Sequence, residues 1–296
     1  MGHGSWSSRT FTDYVTTTKA MTVDELTGSI TGSYSVQDNF KSKAIDAALN
    51  PKNVIRESCD SEEHPNSFPV ILALDVTGSM GAAAMEVAKK INVVMTGLYE
   101  EIPDVQFMIM GIGDLAYDYA PIQASQFESD IRIAEQLDKV YFEGGGGGNG
   151  YESYTAAWYF GLRHTNLDCW NRGKKGIIIT MGDEPLNPYL PQNKLMMSVG
   201  DNLQGDIETG DLYREASEKF DIYHLAVNDK ETMYRHYKDG IERSWSKYLD
   251  NDHLKVVTLD NIAPAIIDIV KRSNENCGSM SVEHTSFINE NGNISW

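Results

Sequence analysis

Three oxygen-bearing side chains alternate at Asp75, Thr77 and Ser79, and their types and spacing suit the binding of a hard cation. Carboxylate and hydroxyl oxygens are ligands that Mg²⁺ prefers, and neither cysteine nor histidine stands within this stretch. The same residue types also cap helices, because their oxygens accept hydrogen bonds from the free N–H groups of a first turn. These residues alone leave both interpretations open, so the surrounding elements must decide between them.

The flanking residues predict a buried strand followed by a helix. Residues 68–74 form an apolar run that leads into the oxygen-bearing turn, which is typical of a strand buried on both faces. Between 82 and 99, apolar residues recur at helical spacing and form one stripe. Because open α/β sheets bind ligands at the carboxyl ends of their strands, this order places the three oxygens where a ligand would bind.

A second segment with oxygen ligands follows the consecutive glycines 144–148. Glu152 opens a predicted helix there and is the first choice as a metal ligand, since a carboxylate binds Mg²⁺ more strongly than a hydroxyl does. Asn149 and Ser153 are the reserve ligands. The simpler alternative for Glu152 is a favourable negative charge in the first turn of a helix.

A third segment follows the short aliphatic run 176–180, which predicts another strand. Asp183 lies in the turn after this run and is the candidate ligand, with Glu184 in reserve. The alternative for Asp183 is a turn residue whose carboxylate bonds its own backbone.

The pattern D-x-T-x-S after a buried strand, followed by glycine-rich and acidic segments in this order, resembles the metal-ion-dependent adhesion site (MIDAS) of von Willebrand factor type A (vWA) domains. The resemblance implies an α/β fold: a Rossmann-like, open, mostly parallel sheet with helices on both faces and one antiparallel edge strand, expected around 119–125. It also implies Mg²⁺, with Mn²⁺ or Ca²⁺ as alternatives. The implied metal-site residues are Asp75, Thr77, Ser79, Glu152 and Asp183.

Two departures from the family pattern affect these assignments. The usual G-G-T-[ND]-T arrangement is missing around 149–153, so the identity of the second-segment ligand is open. In the third segment, Met181 stands where the family has Asp, and the role is therefore assigned to Asp183, two residues later.

In the family, an ion with an incomplete protein shell accepts a carboxylate from a partner protein. The resemblance therefore implies a metal-dependent protein-binding module, an adaptor or assembly factor, rather than an enzyme. Intracellular bacterial and phage relatives often work beside an AAA+ ATPase, which implies such a partner here. One alternative is a Mg²⁺-dependent phosphatase of the haloacid-dehalogenase type, although Thr77 replaces its usual second Asp. Another is a structural or virion protein with a vestigial metal site.

Composition narrows the partners and the compartment. The formal charge of −18, from 43 acidic and 25 basic residues, would repel phosphate backbones and argues against nucleic acid. No apolar run approaches the roughly 20 residues of a membrane span, which argues against a membrane protein. Three widely spaced cysteines and an N-terminus without an apolar leader predict a cytoplasmic protein.

The chain divides into three parts by composition and pattern. Residues 1–66 are polar and are expected to pack on the domain as an extension, and residues 67–275 form the predicted vWA domain. Within the domain, the spacing over 127–140 predicts a helix, whereas the stretch after Pro188 is expected to be a long polar connection. Residues 276–296 form a polar tail.

Overall fold

The structure, a computed structural model, describes residues 4–32, 35–143 and 148–279, with the side chains of 276–279 excepted. The strands are β1 (Thr22–Val23), β2 (Ile30–Thr31), β3 (Arg56–Ser58), β4 (Phe68–Asp75), β5 (Val105–Ile112), β6 (Ile122–Ala124), β7 (Thr165–Leu167), β8 (Gly176–Gly182), β9 (Tyr189–Leu190), β10 (Ile207–Glu208), β11 (Phe220–Val227) and β12 (Leu254–Val257). The helices are α1 (Ser8–Tyr14), α2 (Val36–Asn39), α3 (Gly81–Tyr99), α4 (Arg132–Asp138), α5 (Thr155–Arg163), α6 (Asp168–Asn171), α7 (Gln192–Ser198), α8 (Thr209–Lys219), α9 (Tyr234–Trp245) and α10 (Ile262–Ser279).

Six strands form the central sheet in the order β12-β11-β8-β4-β5-β6. All neighbours in this sheet are parallel except β6, which pairs antiparallel with β5 at one edge. The predicted α/β class, with its mostly parallel sheet and antiparallel edge strand, is confirmed. The edge strand covers Ile122–Ala124, within the expected stretch.

Strand β4 shows why this sheet needs helices on both faces. Every residue of β4 is buried, and its side chains alternate between two hydrophobic clusters. Val70, Leu72 and Leu74 face the cluster that includes α3 and α10. Ile71 and Ala73 face the cluster that includes α5, α8 and α9.

The register of the parallel strands brings their carboxyl ends to one edge. Asp75, the last residue of β4, is paired with Ile112 at the end of β5, and Leu74 is paired with Met181 near the end of β8. The turns that follow β4, β5 and β8 therefore start side by side, as the strand–helix order predicts. These turns carry the candidate ligands.

The N-terminal residues pack against the α3 face of the sheet. Trp6, Phe11 and Val15 belong to the same hydrophobic cluster as α3 and α10. The indole N–H of Trp6 donates a buried hydrogen bond to the Asn92 side chain on α3 (2.9 Å). Further along, β3 pairs with β7, so the chain is already integrated into the domain before β4 begins.

Two local expectations need correction. The helix expected over 127–140 begins only at Arg132, because the backbones of Phe107 and Glu128 exchange two hydrogen bonds (2.8 and 3.0 Å) and hold this segment against β5. The polar stretch after Pro188 contains α7 and the short hairpin of β9 with β10. In addition, α10 continues to Ser279, beyond the start of the predicted tail.

Residues 280–296 of the predicted tail and glycines 144–147 lie outside the described residues. Within the part of the chain that is described, the helices are too short or too polar to cross a membrane.

Candidate metal site at the carboxyl edge of the sheet

Asp75 organises the first turn through both of its carboxylate oxygens. Its side chain is fully buried at the end of β4. Oδ1 accepts hydrogen bonds from the backbone N–H of Thr77 (2.9 Å) and from the Thr77 hydroxyl (2.5 Å), while Oδ2 accepts one from the hydroxyl of Tyr154 (2.7 Å). Because the Thr77 hydroxyl hydrogen is committed to Asp75, its oxygen lone pairs are left for another partner.

Asp183 brings the third segment to the same place. It follows β8 directly and is fully buried. Its Oδ2 accepts a hydrogen bond from the backbone N–H of Met233 (2.6 Å), whereas Oδ1 has no hydrogen-bond partner among the described residues. The Ser79 hydroxyl lies within reach of this carboxylate and acts on it as a hydrogen-bonding group. The structure thus brings Thr77, Ser79 and Asp183 together around Asp75.

Glu152 contributes a second buried carboxylate to this edge. Its backbone forms an isolated parallel bridge with Leu186, and its side chain is 2% exposed. The atom Oε2 has no hydrogen-bond partner among the described residues. Burial, followed by the negative charge of Asp75, raises the pKa of Glu152 strongly. The charge of Asp75 therefore acts on Glu152 across the two segments.

The reserve residues occupy different positions. Asn149 lies against Asp114, a buried residue after β5, rather than against the first turn. The Ser153 hydroxyl accepts a hydrogen bond from the backbone N–H of Leu115 (3.0 Å) and so supports the turn after β5. Glu184 is near Asp183: burial and then the charge of Asp183 raise the pKa of Glu184 to about 7.

Tyr154 is a residue of this edge that the sequence patterns did not single out. Its hydroxyl donates to Asp75 and also accepts a hydrogen bond from the backbone N–H of Glu184 (3.3 Å). Gly182 makes this position possible, since a Cβ there would overlap the Tyr154 hydroxyl and ring. Tyr154 thereby connects the first and third turns. Its position two residues after Glu152, in the first turn of the predicted helix, was the available signal.

Asp114 is a second residue of this edge that the sequence patterns did not single out, because its residue type and position are those of an ordinary turn residue. Its Oδ1 does accept the turn hydrogen bond from the backbone N–H of Ala116 (2.8 Å). However, Oδ2 is buried without a hydrogen-bond partner among the described residues. Burial also raises the pKa of this carboxyl group.

The electrostatics of the edge favour a bound cation. Burial is the main cause of the raised pKa values of Asp75, Asp183 and Glu152, and the charge of Asp183 adds to the effect on Asp75. Buried carboxylates that lack a counter-charge either keep a proton or attract a cation. The unpartnered oxygens of Asp183 and Glu152 and the hydroxyls of Thr77 and Ser79 are all donors of the kind that Mg²⁺ prefers.

The carboxylates do not form a metal cage by themselves. In the part of the chain that the structure describes, no group of three or more His, Cys, Asp or Glu side chains is arranged to hold a metal ion. A cation here would therefore depend on the hydroxyls of Thr77 and Ser79 in addition to carboxylate oxygens. Such a donor set would leave positive charge on the ion and would favour a further anionic ligand.

The arrangement disfavours Asp75 as a nucleophile. Attack on a phosphoryl group needs an accessible carboxylate oxygen with a free lone pair directed at the substrate. Asp75 is fully buried, and both of its oxygens accept hydrogen bonds from Thr77 and Tyr154. The geometry suits the positioning of other groups better than it suits covalent catalysis.

Comparison with known proteins identifies the fold. Neither the family models nor the curated proteins compared with this sequence include a match. Among solved structures, the chain resembles the pilus adhesin SpaC from Lactobacillus rhamnosus GG in its open conformation, with a TM-score of 0.50 and 12% identity over 76% of this chain and 31% of SpaC. The chain thus spans about a third of that adhesin.

Two further structures show weaker similarity. The vWF domain of the type V pili tip protein Mfa5 from Porphyromonas gingivalis has a TM-score of 0.44 and 10% identity, over 71% of this chain and 96% of that one. A PilB minor pilin from Streptococcus sanguinis has a TM-score of 0.43 and 11% identity, over 73% of this chain and 63% of that one.

These comparisons contradict the cytoplasmic location predicted from the sequence. SpaC, which shares the fold at a TM-score of 0.50, is described as a pilus adhesin, and this description points away from a cytoplasmic location. The cysteine count misled the prediction because a fold with a large buried sheet needs no disulfides in any compartment. Cysteine usage therefore carried no information about the compartment.

Proposed function

We propose that this chain is a protein-binding module of the adhesion or assembly type, which captures an acidic side chain of a partner through a Mg²⁺ ion held at the carboxyl edge of the sheet. The observation that carries the proposal is the buried, unpartnered Oδ1 of Asp183, a carboxylate that the Ser79 hydroxyl reaches and whose charge acts on Asp75, the acceptor of the Thr77 hydroxyl. A buried carboxylate oxygen without a donor is costly unless a cation or proton occupies the place.

Some of these residues would bind the ion, and others would hold the ligands in position. Thr77, Ser79 and Asp183 would supply oxygens to the ion, whereas Asp75 fixes the Thr77 hydroxyl and Tyr154 fixes Asp75. Groups that orient ligands in this way typically change metal affinity about ten- to hundredfold when they are removed. Bound Mg²⁺ would supply a coordination position for a carboxylate of the partner.

The role of Glu152 decides how strongly that carboxylate is attracted. Two neutral hydroxyls and one carboxylate would leave the ion with unneutralised positive charge, while a second carboxylate from Glu152 would reduce it. The bridge between Glu152 and Leu186 holds this residue at the edge but on a different segment from the two hydroxyls. We therefore assign Glu152 to the surroundings of the ion. Its negative charge should weaken the attraction between the ion and a carboxylate of the partner.

The similarity to SpaC, which is described as a pilus adhesin, is compatible with an adhesive or assembly role. An AAA+ ATPase stays a candidate partner on the resemblance in the sequence alone. In either setting the proposed role is binding rather than catalysis.

Calorimetric titration with Mg²⁺ tests the proposal. Thr77→Val removes one hydroxyl ligand at nearly constant volume, and Asp183→Asn removes one charge while keeping an acceptor for Met233. Each should weaken Mg²⁺ binding about tenfold or more. Thr12→Val is the matched control, because Thr12 is exposed on α1 and its hydroxyl bonds only the Ser8 carbonyl (2.9 Å). Equal Mg²⁺ affinity in all four proteins, or no binding by the wild type, would refute the metal claim.

A further inference from the structure

A cleft lies beside the first turn of the candidate metal site, and we call it the extension cleft. It has a volume of about 460 Å³ and is lined by the N-terminal residues 36–37 and 40–43 on one side and by Gly78, Gly81 and Phe142 on the other. This volume lies within the roughly 300–1,000 Å³ of typical ligand pockets. The cleft therefore has room for one or two side chains of a bound peptide.

The walls of the extension cleft are held in place by specific contacts. Phe40 packs on Phe142 with ring centroids 4.4 Å apart. The helix α2 is closed by a capping box, in which the Ser35 hydroxyl accepts from the N–H of Asp38 (3.2 Å) and the Asp38 carboxylate accepts from the N–H of Ser35 (2.9 Å). Val36 packs so closely on α3 that a Cβ at Gly81 would lie 2.9 Å from its Cγ2 atom.

The cleft reaches the first turn of the candidate metal site. Gly78, which lines it, is exposed and stands between Thr77 and Ser79, the two proposed hydroxyl ligands. A peptide in the cleft would therefore lie against the turn that carries these two hydroxyls. Residues 36–43 belong to the N-terminal extension, so this part of the chain forms one wall beside the metal edge.

The charge of the cleft is opposite to that of the protein. The whole chain carries −18, yet the described lining residues include two lysines, Lys41 and Lys43, and no carboxylate. Both lysines are exposed, and neither forms an ion pair with a described residue within 4 Å. Asp38 and Asp138 act on the charge of Lys41 from outside the cleft, and Asp138 is already paired with Lys19 (2.6 Å). A local cationic rim on an acidic protein selects an acidic partner.

We propose that the extension cleft binds an acidic peptide segment of a partner protein, with an apolar side chain packed against Val36, Phe40 and Phe142 and neighbouring carboxylates on Lys41 and Lys43. The proposal rests on the proposed function, because the same segment would place one further carboxylate over the metal turn. It adds the sequence character of the partner: acidic residues that flank an apolar one. The cleft supplies selectivity, and the ion supplies an anchor.

Fluorescence anisotropy with defined probes tests this proposal. The first probe is a fluorescein-labelled octapeptide that alternates Asp or Glu with Leu or Phe. The second has Lys at each acidic position, and the third has Ser at each apolar position. In Mg²⁺ at low salt, the first probe should bind the full chain, and the other two should bind at least about tenfold more weakly.

Charge-reversal variants locate the binding. Lys41→Glu with Lys43→Glu should weaken the first probe about tenfold or more and leave the calorimetric Mg²⁺ affinity unchanged. The matched control is Lys174→Glu with Lys247→Glu, which makes the same change in net charge. Lys174 precedes β8 and so lies at the opposite edge of the sheet, and Lys247 is exposed after α9. The control should bind the first probe as the wild type does.

The outcomes separate the two proposals. Equal weakening by the cleft pair and the control pair, or no binding of the first probe by a protein that binds Mg²⁺, would overturn the cleft and leave the metal site standing. If the first probe binds through the two lysines and a chelator does not weaken this binding, the cleft is supported and the metal-dependent function is refuted. Loss of binding on chelation together with loss in the cleft variant supports both.

Discussion

Replacing Gly182 with alanine should dislodge Tyr154 and loosen the candidate site. A Cβ at this position would overlap the hydroxyl oxygen and two ring carbons of Tyr154, a side chain with no exposed surface. The ring cannot move away freely, because it also packs against His224 and Trp245 with centroids 5.2 and 5.5 Å away. The hydrogen bond from Tyr154 to Asp75 would then be lengthened or broken.

Two contributions set the size of the effect. Forcing extra volume into a packed core costs about 1–3 kcal/mol of unfolding free energy. Leaving the buried Asp75 oxygen without its hydrogen-bond donor costs about 1–3 kcal/mol more. We therefore expect Gly182→Ala to lower the free energy of unfolding by about 2–6 kcal/mol and to weaken Mg²⁺ binding, since Asp75 orients Thr77.

Urea unfolding in the presence of chelator measures the first effect, and calorimetry with Mg²⁺ measures the second. Tyr154→Phe removes only the hydroxyl and should show the hydrogen-bond contribution alone, about 1–3 kcal/mol. Gly205→Ala is the control, because a Cβ there would meet no atom within 4 Å, and it should change stability by less than about 0.5 kcal/mol. If Gly182→Ala unfolds within about 1 kcal/mol of the wild type and binds Mg²⁺ equally well, Tyr154 does not connect the two turns.

Three further predictions concern other parts of the molecule. Burial lowers the pKa of His224 to about 3, so the protein should lose stability as the pH falls below about 6.5. The expected loss in the free energy of unfolding is about 2–3 kcal/mol at pH 4.5. When unfolding is measured as a function of pH, His224→Phe should lose less stability in acid than the wild type does. Burial raises the pKa of Asp118 to about 6, so its contribution favours the folded state at low pH and declines as the pH rises from about 4 to 6. Asp118→Asn keeps an acceptor for the backbone N–H of Asp114 and should remove that decline in chelator, and an unchanged pH profile would contradict the assignment. Trp6→Phe removes the buried hydrogen bond to Asn92 and should lower the unfolding free energy by about 1–3 kcal/mol in thermal or urea melts, whereas an unchanged midpoint would show that this hydrogen bond does not stabilise the domain.

The tautomer of His224 gives the acid prediction its basis. The Thr180 hydroxyl donates its hydrogen to the Tyr223 carbonyl (3.1 Å). Nδ1 of His224 lies 2.9 Å from the same hydroxyl oxygen, so Nδ1 carries a hydrogen and donates it to Thr180. Nε2 has no hydrogen-bond partner among the described residues, and the ring stacks on Trp245 with centroids 3.7 Å apart. A proton on Nε2 would put an unpaired charge in the core, which favours the neutral ring.

The strands of the central sheet were predictable because burial on both faces leaves a direct trace in the sequence. The run 68–74 predicts a strand that the structure extends by one residue to Asp75. Parallel strands of this kind need no alternation of polar and apolar residues. By contrast, α4 is shorter than its apolar spacing predicts, because the backbone pairing of Phe107 with Glu128 holds the start of this segment against β5. This pairing is a tertiary contact, which no local sequence pattern shows.

The sequence predicted which segments lie at the candidate site, but it did not predict all the contacts that their side chains make there. The order of Asp75, Glu152 and Asp183 along the chain predicted that three turns meet, since parallel strands end at one edge. The separate positions of Asn149 and Ser153 depend on how the turn after β5 folds back to meet them. Neither the residue types nor their spacing shows that the turn after β5 folds back in this way.

Tyr154 explains how turns so different from the family pattern can still build an ordered site. Met181 stands where the resembled family has an aspartate, and the proposed site takes its carboxylate from Asp183, two residues later. The Tyr154 hydroxyl lies over Gly182, where a Cβ would overlap it, and it bonds both Asp75 and the Glu184 N–H. One buried phenol thus connects the first turn to the third. Because these hydrogen bonds hold the two turns together, less ordering would be required when Mg²⁺ binds, and the affinity for Mg²⁺ should be lower in Tyr154→Phe even where that variant is fully folded.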